Sequence, residues 1–360
     1  MILKTYQKYL ISQFYSILLK VSIIFFCLAF ILNIFEEINY LKDLNVSFYY
    51  PLLLTFLNTP SLLFQIFPFI FLISTQFFFI TISDRSELPI YKNFGLNNLR
   101  IVSTIVMFAF FLLTLIVIIF YQFSSISKFF YLDLKNNFSN DNRYLSVVTE
   151  NGLWIKDEMN GNLNIINAEK ISKNYLMNVS ITQFDKNFVL IKNINSDMVD
   201  ISNLLWKLDK PTITTPDQIV INLDFLLLET HFDVHKIKSL FSNLTSLTLF
   251  QLHALKKDFR DLGYSTTEIS LHQHKVFSFP IYLSLMTLFA SIIMLNIKHN
   301  KPKVFNLITG IMLSVLVYYL NFFSTTLAES EKLPVILSIW LPLIILLLLS
   351  TIGLVRINEK

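Results

Sequence analysis

IVSTIVMFAFFLLTLIVIIFYQF, residues 101–123, contains no Asp, Glu, Lys, Arg or His. A helix needs about 20 apolar residues to cross a hydrocarbon layer of about 30 Å, so this run reads as a membrane span. The chain then changes character: from 125 to 275, Asn, Asp, Lys and Ser rise and the apolar runs shorten. Beyond 275 the long apolar runs return. Five more segments qualify as spans: 14–35, 61–82, 276–297, 304–327 and 334–355. The pattern predicts an α-helical polytopic membrane protein with six transmembrane helices and one large inserted domain.

Composition agrees. Of the 360 residues, 54% are hydrophobic, only 15% are charged and 36 are Phe. A soluble chain of this size carries more charge than that. The net charge of +4 comes with no dense basic stripe, which argues against nucleic-acid binding. Cys27 is the single cysteine, so an intramolecular disulfide is impossible, and thiol chemistry and a structural zinc site are set aside.

Short-loop charges predict the orientation. With the N-terminus inside, the inner pieces 1–11, 83–100, 298–303 and 354–360 hold Lys4, Lys8, Arg85, Lys92, Arg100, Lys298, Lys301, Lys303, Arg356 and Lys360. The opposite loops 36–50 and 328–333 hold only Lys42 and Lys332, against Glu36, Glu37, Asp43, Glu329 and Glu331. Both termini are thus expected in the cytoplasm and the inserted domain outside. The first run follows Lys4 and Lys8 as a signal peptide would, but it is long and lacks a small-residue cleavage site, so a retained helix is expected. Lys20 is the one clear charge inside a span; snorkelling to the interface explains it, and contact with a lipid phosphate or a coupling partner is the alternative. The other five spans carry no Asp, Glu, Lys, Arg or His in their interiors, which argues against chemistry or ion coupling within the bilayer. Pro60 and Pro68 are expected to break 51–82 into an interfacial piece and a span, and Pro280 and Pro342 to kink theirs.

In the inserted domain, Tyr144–Val148, Gly152–Lys156, Asn162–Asn167, Val179–Phe184, Asn187–Ile194 and Leu204–Leu208 have strand length and composition. Asn151-Gly152, Asn160-Gly161 and Asp185-Lys186-Asn187 supply turns between them. The prediction is an all-β, jelly-roll-like domain, trailed by a helix over Leu244–Leu262 that ends at Gly263. His231-x-x-x-His235 and His272-x-His274 have ligand-like spacing but no adjoining Cys or carboxylate, so solvated histidines are favoured over metal ligands. No phosphate-binding glycine loop or nucleophile elbow occurs, and no cofactor is implied.

Several collinear motifs resemble the LptF/LptG lipopolysaccharide-export permease family. Ser86-Glu87-Leu88, then Gly95 and Arg100-Ile101, is similar to its cytoplasmic loop between the second and third spans. Gly152-Leu153-Trp154-Ile155-Lys156-Asp157 resembles the G-L-W-x-[KR]-D strand of its outer domain, more so on the LptG side. Leu262-Gly263-Tyr264 with Lys275 and Pro280, Lys301-Pro302 with Thr309-Gly310, and Leu333-Pro334…Trp340-Leu341-Pro342 resemble the return and the last two spans. Pro89 and Phe94 depart from the small or aliphatic residues usual there. Asn33, Glu36 and Glu37 stand where members can carry a basic residue.

The resemblance implies a non-catalytic permease subunit of an ABC transporter in a Gram-negative inner membrane, with residues 125–275 in the periplasm between helix triplets 1–124 and 276–360. Its implied partners are a paralogous LptF-like permease, a cytosolic LptB-like ATPase dimer, an LptC-like bitopic jelly-roll protein with a periplasmic bridge, and lipopolysaccharide. On that reading the ATPase-coupling loop is Arg85, Ser86, Glu87, Leu88, Gly95 and Arg100, with Glu87 as the polar contact and Gly95 as a helix end. Lipid-cavity candidates are Phe30, Asn33, Phe35, Glu36, Phe67, Tyr318 and Phe322. Competing readings are the LptF-type paralogue, another ABC permease or mechanotransducer with a periplasmic domain, and an enzyme acting on envelope lipids.

Overall fold

The computed structural model describes residues 4–358 except 43, 45, 137, 139–152, 160, 173, 235, 238–242, 262–263 and 297–302. The strand expected at Tyr144–Val148, and Gly152, His235, Gly263 and Lys301-Pro302, lie outside the described residues. The chain forms two compact units, 1–128 with 267–360, and 129–266.

The helical unit is built from α1 (Thr5–Leu41), α2 (Tyr49–Asp84), the short α3 (Glu87–Asn93), and α4 (Asn98–Asn136), which runs on past the unit boundary. After the inserted unit come α6 (Thr267–Leu295), α7 (Lys303–Glu329) and α8 (Val335–Asn358). Among the described residues, the six helices of this unit other than α3 are long and apolar enough to cross a membrane. At 37 residues, α1 is about 55 Å long, more than a bilayer core requires. Its first turn is capped by Gln7, whose Oε1 accepts the Lys4 N–H at 3.0 Å.

Pro60 and Pro68 do not divide the second segment: α2 is continuous from Tyr49 to Asp84. Both prolines are buried in the packing of the helix. Thr55 and Thr59 are buried and donate to the carbonyls of Pro51 and Thr55, at 2.7 and 2.6 Å. Pro280 and Pro342 also lie inside unbroken helices.

α2 and α6 form the centre of this unit, with 56% and 61% of their most apolar windows buried, against 22% for α1 and 11% for α7. Phe14, Phe71, Phe78, Ile82, Ile101, Leu283 and Met286 share its core. Gly310 sets the approach of α7 to α2. Gln76 is buried, and its Nε2 donates to the Asn306 and Leu307 carbonyls at 3.4 Å each. A Cβ at 310 would overlap that nitrogen. Gly310→Ala is expected to destabilise the unit by about 1–3 kcal/mol through overpacking. Unfolding in detergent measures this, and adding Gln76→Ala should restore most of the loss.

The inserted unit holds β1 (Leu153–Met159), β2 (Asn162–Ser172), β3 (Tyr175–Phe184), β4 (Leu190–Asp200), β5 (Leu205–Asp209), β6 (Thr212–Thr214), β7 (Val220–Asn222) and β8 (Phe225–Glu229). All belong to one antiparallel sheet. Register shows six long strands rather than eight short ones. β5 and β6 both pair with β4 in one frame (Met198↔Asp209, Asn193↔Thr214), and β7 and β8 continue one another opposite them (Thr212↔Asn222, Asp209↔Phe225). The interruption is local, at Lys210 with φ 43°. Each long strand therefore pairs with its neighbours in sequence, as a meander.

A row of isoleucines crosses every strand: Ile155↔Ile166↔Ile181↔Ile194↔Ile213↔Ile221. The first five are buried and Ile221, on the last strand, is exposed. Such cross-strand β-branched neighbours are the unit of sheet stability. The β3–β4 turn uses Asp185, whose Oδ1 accepts the N–H groups of Asn187 and Val189 at 2.8 Å each.

The trailing helix is shorter than expected. Leu244–Ser246 is a 3₁₀ turn, and α5 spans Leu249–Asp261. Thr248 and Gln251 form a reciprocal cap (Thr248 N–H to Gln251 Oε1 2.9 Å, Gln251 N–H to Thr248 Oγ1 3.4 Å), which starts a new helix there.

Candidate functional site

The 83–100 segment folds into a clasped helix. α2 stops at Asp84, and Ser86 turns the chain with φ 53°, a left-handed conformation. The seven residues of α3 are too few to hold a helix alone. Their C-terminus closes on Gly95 (φ 76°), with the Gly95 N–H on the Lys92 carbonyl (2.9 Å) and the Leu96 N–H on that of Tyr91 (3.0 Å). That pairing needs a left-handed residue just past the helix end, where glycine is unstrained. Arg100, in the first turn of α4, places Nη1 at 3.5 Å from the Gly95 carbonyl.

Glu87 points inward. Its carboxylate accepts hydrogen bonds from the hydroxyls of Tyr9 (2.9 Å) and Tyr91 (3.2 Å), with Arg85 Nη1 at 3.8 Å, and its side chain is 15% exposed. Burial, and then the charge of Glu87, raise the Tyr91 hydroxyl well above the ordinary tyrosine range. It therefore remains a donor at any physiological pH. Leu88 and Tyr91 pack onto the helical core. Pro89, Ile90, Lys92, Asn93 and Phe94 face outward, with Phe94 82% exposed. The presented surface is thus apolar and basic, while the acidic residue seats the helix. Tyr9 gave no sequence signal, because its contact spans 78 residues.

The lipid-cavity candidates divide. Phe35, Glu36, Tyr318 and Phe322 are exposed, and Phe30 is half-buried. Phe67 lies in the core, packed on Phe64, Phe71 and Phe120, so it is not on the exposed surface. Asn33 is also buried. It donates to the Thr55 carbonyl (3.4 Å) and accepts from Asn58 (3.0 Å). Lys128 of α4 donates to Asn58 Oδ1 at 2.7 Å, placing a cation beside the Asn33–Asn58 pair.

On β1, Leu153 and Ile155 are buried while Trp154 and Lys156 are exposed. Asp157 is buried because His231 meets it: Nδ1 lies at 2.8 Å, and the His231 N–H donates at 3.3 Å. The edge of β1 away from β2 is capped by Tyr264, whose hydroxyl accepts the Lys156 N–H (2.7 Å) and donates to the Lys156 carbonyl (3.3 Å). Burial raises this hydroxyl above its ordinary range. Two motifs quoted from distant parts of the sequence therefore meet here. At the other end of the sheet β8 is the last strand among the described residues, and Val220, Ile221, Phe225 and Leu227 are exposed.

His272 and His274 are not simply solvated. His272 Nε2 is 2.9 Å from the Tyr121 hydroxyl, and the Trp340 Nε1–H donates to His274 Nδ1 at 3.5 Å. Among the described residues no His, Cys, Asp and Glu cluster is arranged to hold a metal.

The family model for the lipopolysaccharide export system permease LptF/LptG matches residues 8–356. The chain belongs to the LptF/LptG permease family. The match spans both helical triplets and the inserted β unit of this permease, as well as the clasped segment. No curated protein matches the permease closely enough to act as a relative.

Proposed function

We propose that this permease is one half of a heterodimeric ABC transporter that extracts lipopolysaccharide from the inner membrane, driven by a separate cytosolic ATPase dimer. Membership of the family supports the lipopolysaccharide-export role. The observation that carries the finer reading is the clasped α3. A short helix seated by Glu87, Tyr9 and Tyr91, presenting Ile90, Lys92 and Phe94, suits docking into a cleft of a nucleotide-binding subunit. Loop charge favours cytoplasmic termini and a periplasmic β unit.

Trp154, Lys156 and Asp157 on β1, with Leu333-Pro334 and Trp340-Leu341-Pro342, favour the LptG-like half over its LptF-like paralogue. The exposed apolar faces of α1 and α7, including Phe35, Tyr318 and Phe322, suit acyl chains and the paired permease. The β7–β8 edge supports docking of an LptC-like β domain. It is apolar and lacks a neighbouring strand among the described residues, and it ends the isoleucine row on an exposed Ile221.

Co-purification from membranes tests the assignment. A second LptF/LptG-family permease and an ATPase dimer are expected with the chain, with the ATPase lost on Phe94→Asp. Recovery of the chain without either partner overturns the reading.

A further inference from the structure

On α1, Ser12, Gln13, Ser16 and Lys20 recur at helical spacing, so they share one face. Thr81 and Arg85, one turn apart near the end of α2, line the same pocket of about 360 Å³. The lining holds two cations and no carboxylate. Lys20 forms no ion pair among the described residues, and Arg85 meets only Glu87, at 3.8 Å, with its side chain 59% exposed. Glu87 is already occupied by two tyrosine hydroxyls. Both amide atoms of Gln13 are buried without a hydrogen-bond partner, a cost that a ligand's polar atoms would remove.

We propose that this pocket binds the phosphate of an anionic lipid headgroup. Lys20 lies six residues inside the apolar run that begins at Phe14, about 9 Å along the axis. A lysine stem spans most of that depth and delivers its ammonium to the polar boundary, where lipid phosphates lie. Beside the pocket, Tyr15, Leu19 and Ile23 form an exposed apolar stripe on α1. That stripe suits an acyl chain continuing from the headgroup, and a soluble phosphate has no use for it. The site needs no lipopolysaccharide, so it stands apart from the export reading.

Full-length protein, delipidated in detergent, is titrated with phosphatidylglycerol and with phosphatidylcholine, and adducts are read by native mass spectrometry. Phosphatidylglycerol is expected to bind preferentially. Lys20→Gln and Arg85→Gln should each weaken it about fivefold, while Lys20→Arg retains it. Matching thermal unfolding of Lys20→Gln and wild type in lipid-free detergent separates lost binding from misfolding. Three outcomes overturn the proposal. In the first, the double Gln variant binds phosphatidylglycerol as wild type does. In the second, free glycerol 3-phosphate displaces the lipid at equal concentration, making the ligand a soluble anion. In the third, the double variant keeps the lipid but loses a paired permease, making the surface a protein contact.

Discussion

Glu87→Ala is expected to leave the permease inserted and folded, while lipid release per ATP hydrolysed falls at least about tenfold in reconstituted vesicles. The carboxylate is the acceptor for Tyr9 on α1 and Tyr91 on α3, at 2.9 and 3.2 Å. Hydrogen bonds to an ionised group contribute about 1.5–3 kcal/mol each. Losing one such bond's worth of positional restraint is already about tenfold in the population of the seated helix. Besides this clasp, α3 is held by Leu88 and Tyr91 on the helical core, and a seven-residue helix does not sustain itself. The helical core does not depend on the contact, so insertion should survive.

Tyr9→Phe removes one of the two donors and should give an intermediate defect. Phe94→Asp differs in kind: it keeps the clasp and spoils the presented surface, so it should reduce ATPase binding itself. Fully coupled export by Glu87→Ala would remove the clasp from the mechanism.

Trp206→Ala carries the largest expected cost to stability. Trp206 is 0% exposed in the β unit, and its Nε1–H donates to the Phe232 carbonyl at 2.7 Å. Truncating a buried aromatic costs about 3–5 kcal/mol, and the orphaned carbonyl adds to it. A domain has about 5–15 kcal/mol in total, so much of the unit's margin goes. Hydrogen exchange on the intact protein should show β1–β8 amides losing protection while α2 and α6 keep theirs. Trp206→Phe should lose less, because it keeps most of the volume. Unchanged exchange in the strands would show that the sheet does not rest on this residue.

Much of the architecture was legible in one dimension. A span is recognised by the length of an apolar run, which bilayer thickness dictates without reference to neighbours. The strands at Asn162–Asn167, Val179–Phe184 and Leu204–Leu208 were legible for a similar reason, because period-two alternation is local. Their extent was not. Each strand grows until its partner ends, so β2 and β4 reach 11 residues, and β5 with β6 reads as one strand only through pairing to β4. The helix expected from Leu244 was cut short by a cap at Thr248 that periodicity alone did not disclose.

The candidate site divides along the same line. Ser86-Glu87-Leu88 and Gly95 were visible as a motif, and Gly95 as a helix end, because a left-handed closure favours glycine wherever it occurs. The direction in which Glu87 points was not visible, because Tyr9 lies 78 residues away and only the antiparallel packing of α1 on α2 brings it near. Phe67 and Asn33 were cavity candidates through the family resemblance, and run length does not show which side of an apolar helix turns inward. Which side turns inward is decided by the neighbouring helices, and these bury both residues. The sequence by itself determined six spans, an inserted β unit and the family, since each rests on run length, alternation or local motif. The tertiary structure alone decided that α2 passes through Pro60 and Pro68 unbroken, that Glu87 seats α3, and that β1 is capped while the β7–β8 edge has no neighbouring strand among the described residues. The seating of Glu87 and the capping of β1 depend on hydrogen-bond partners that the fold brings together from distant parts of the chain.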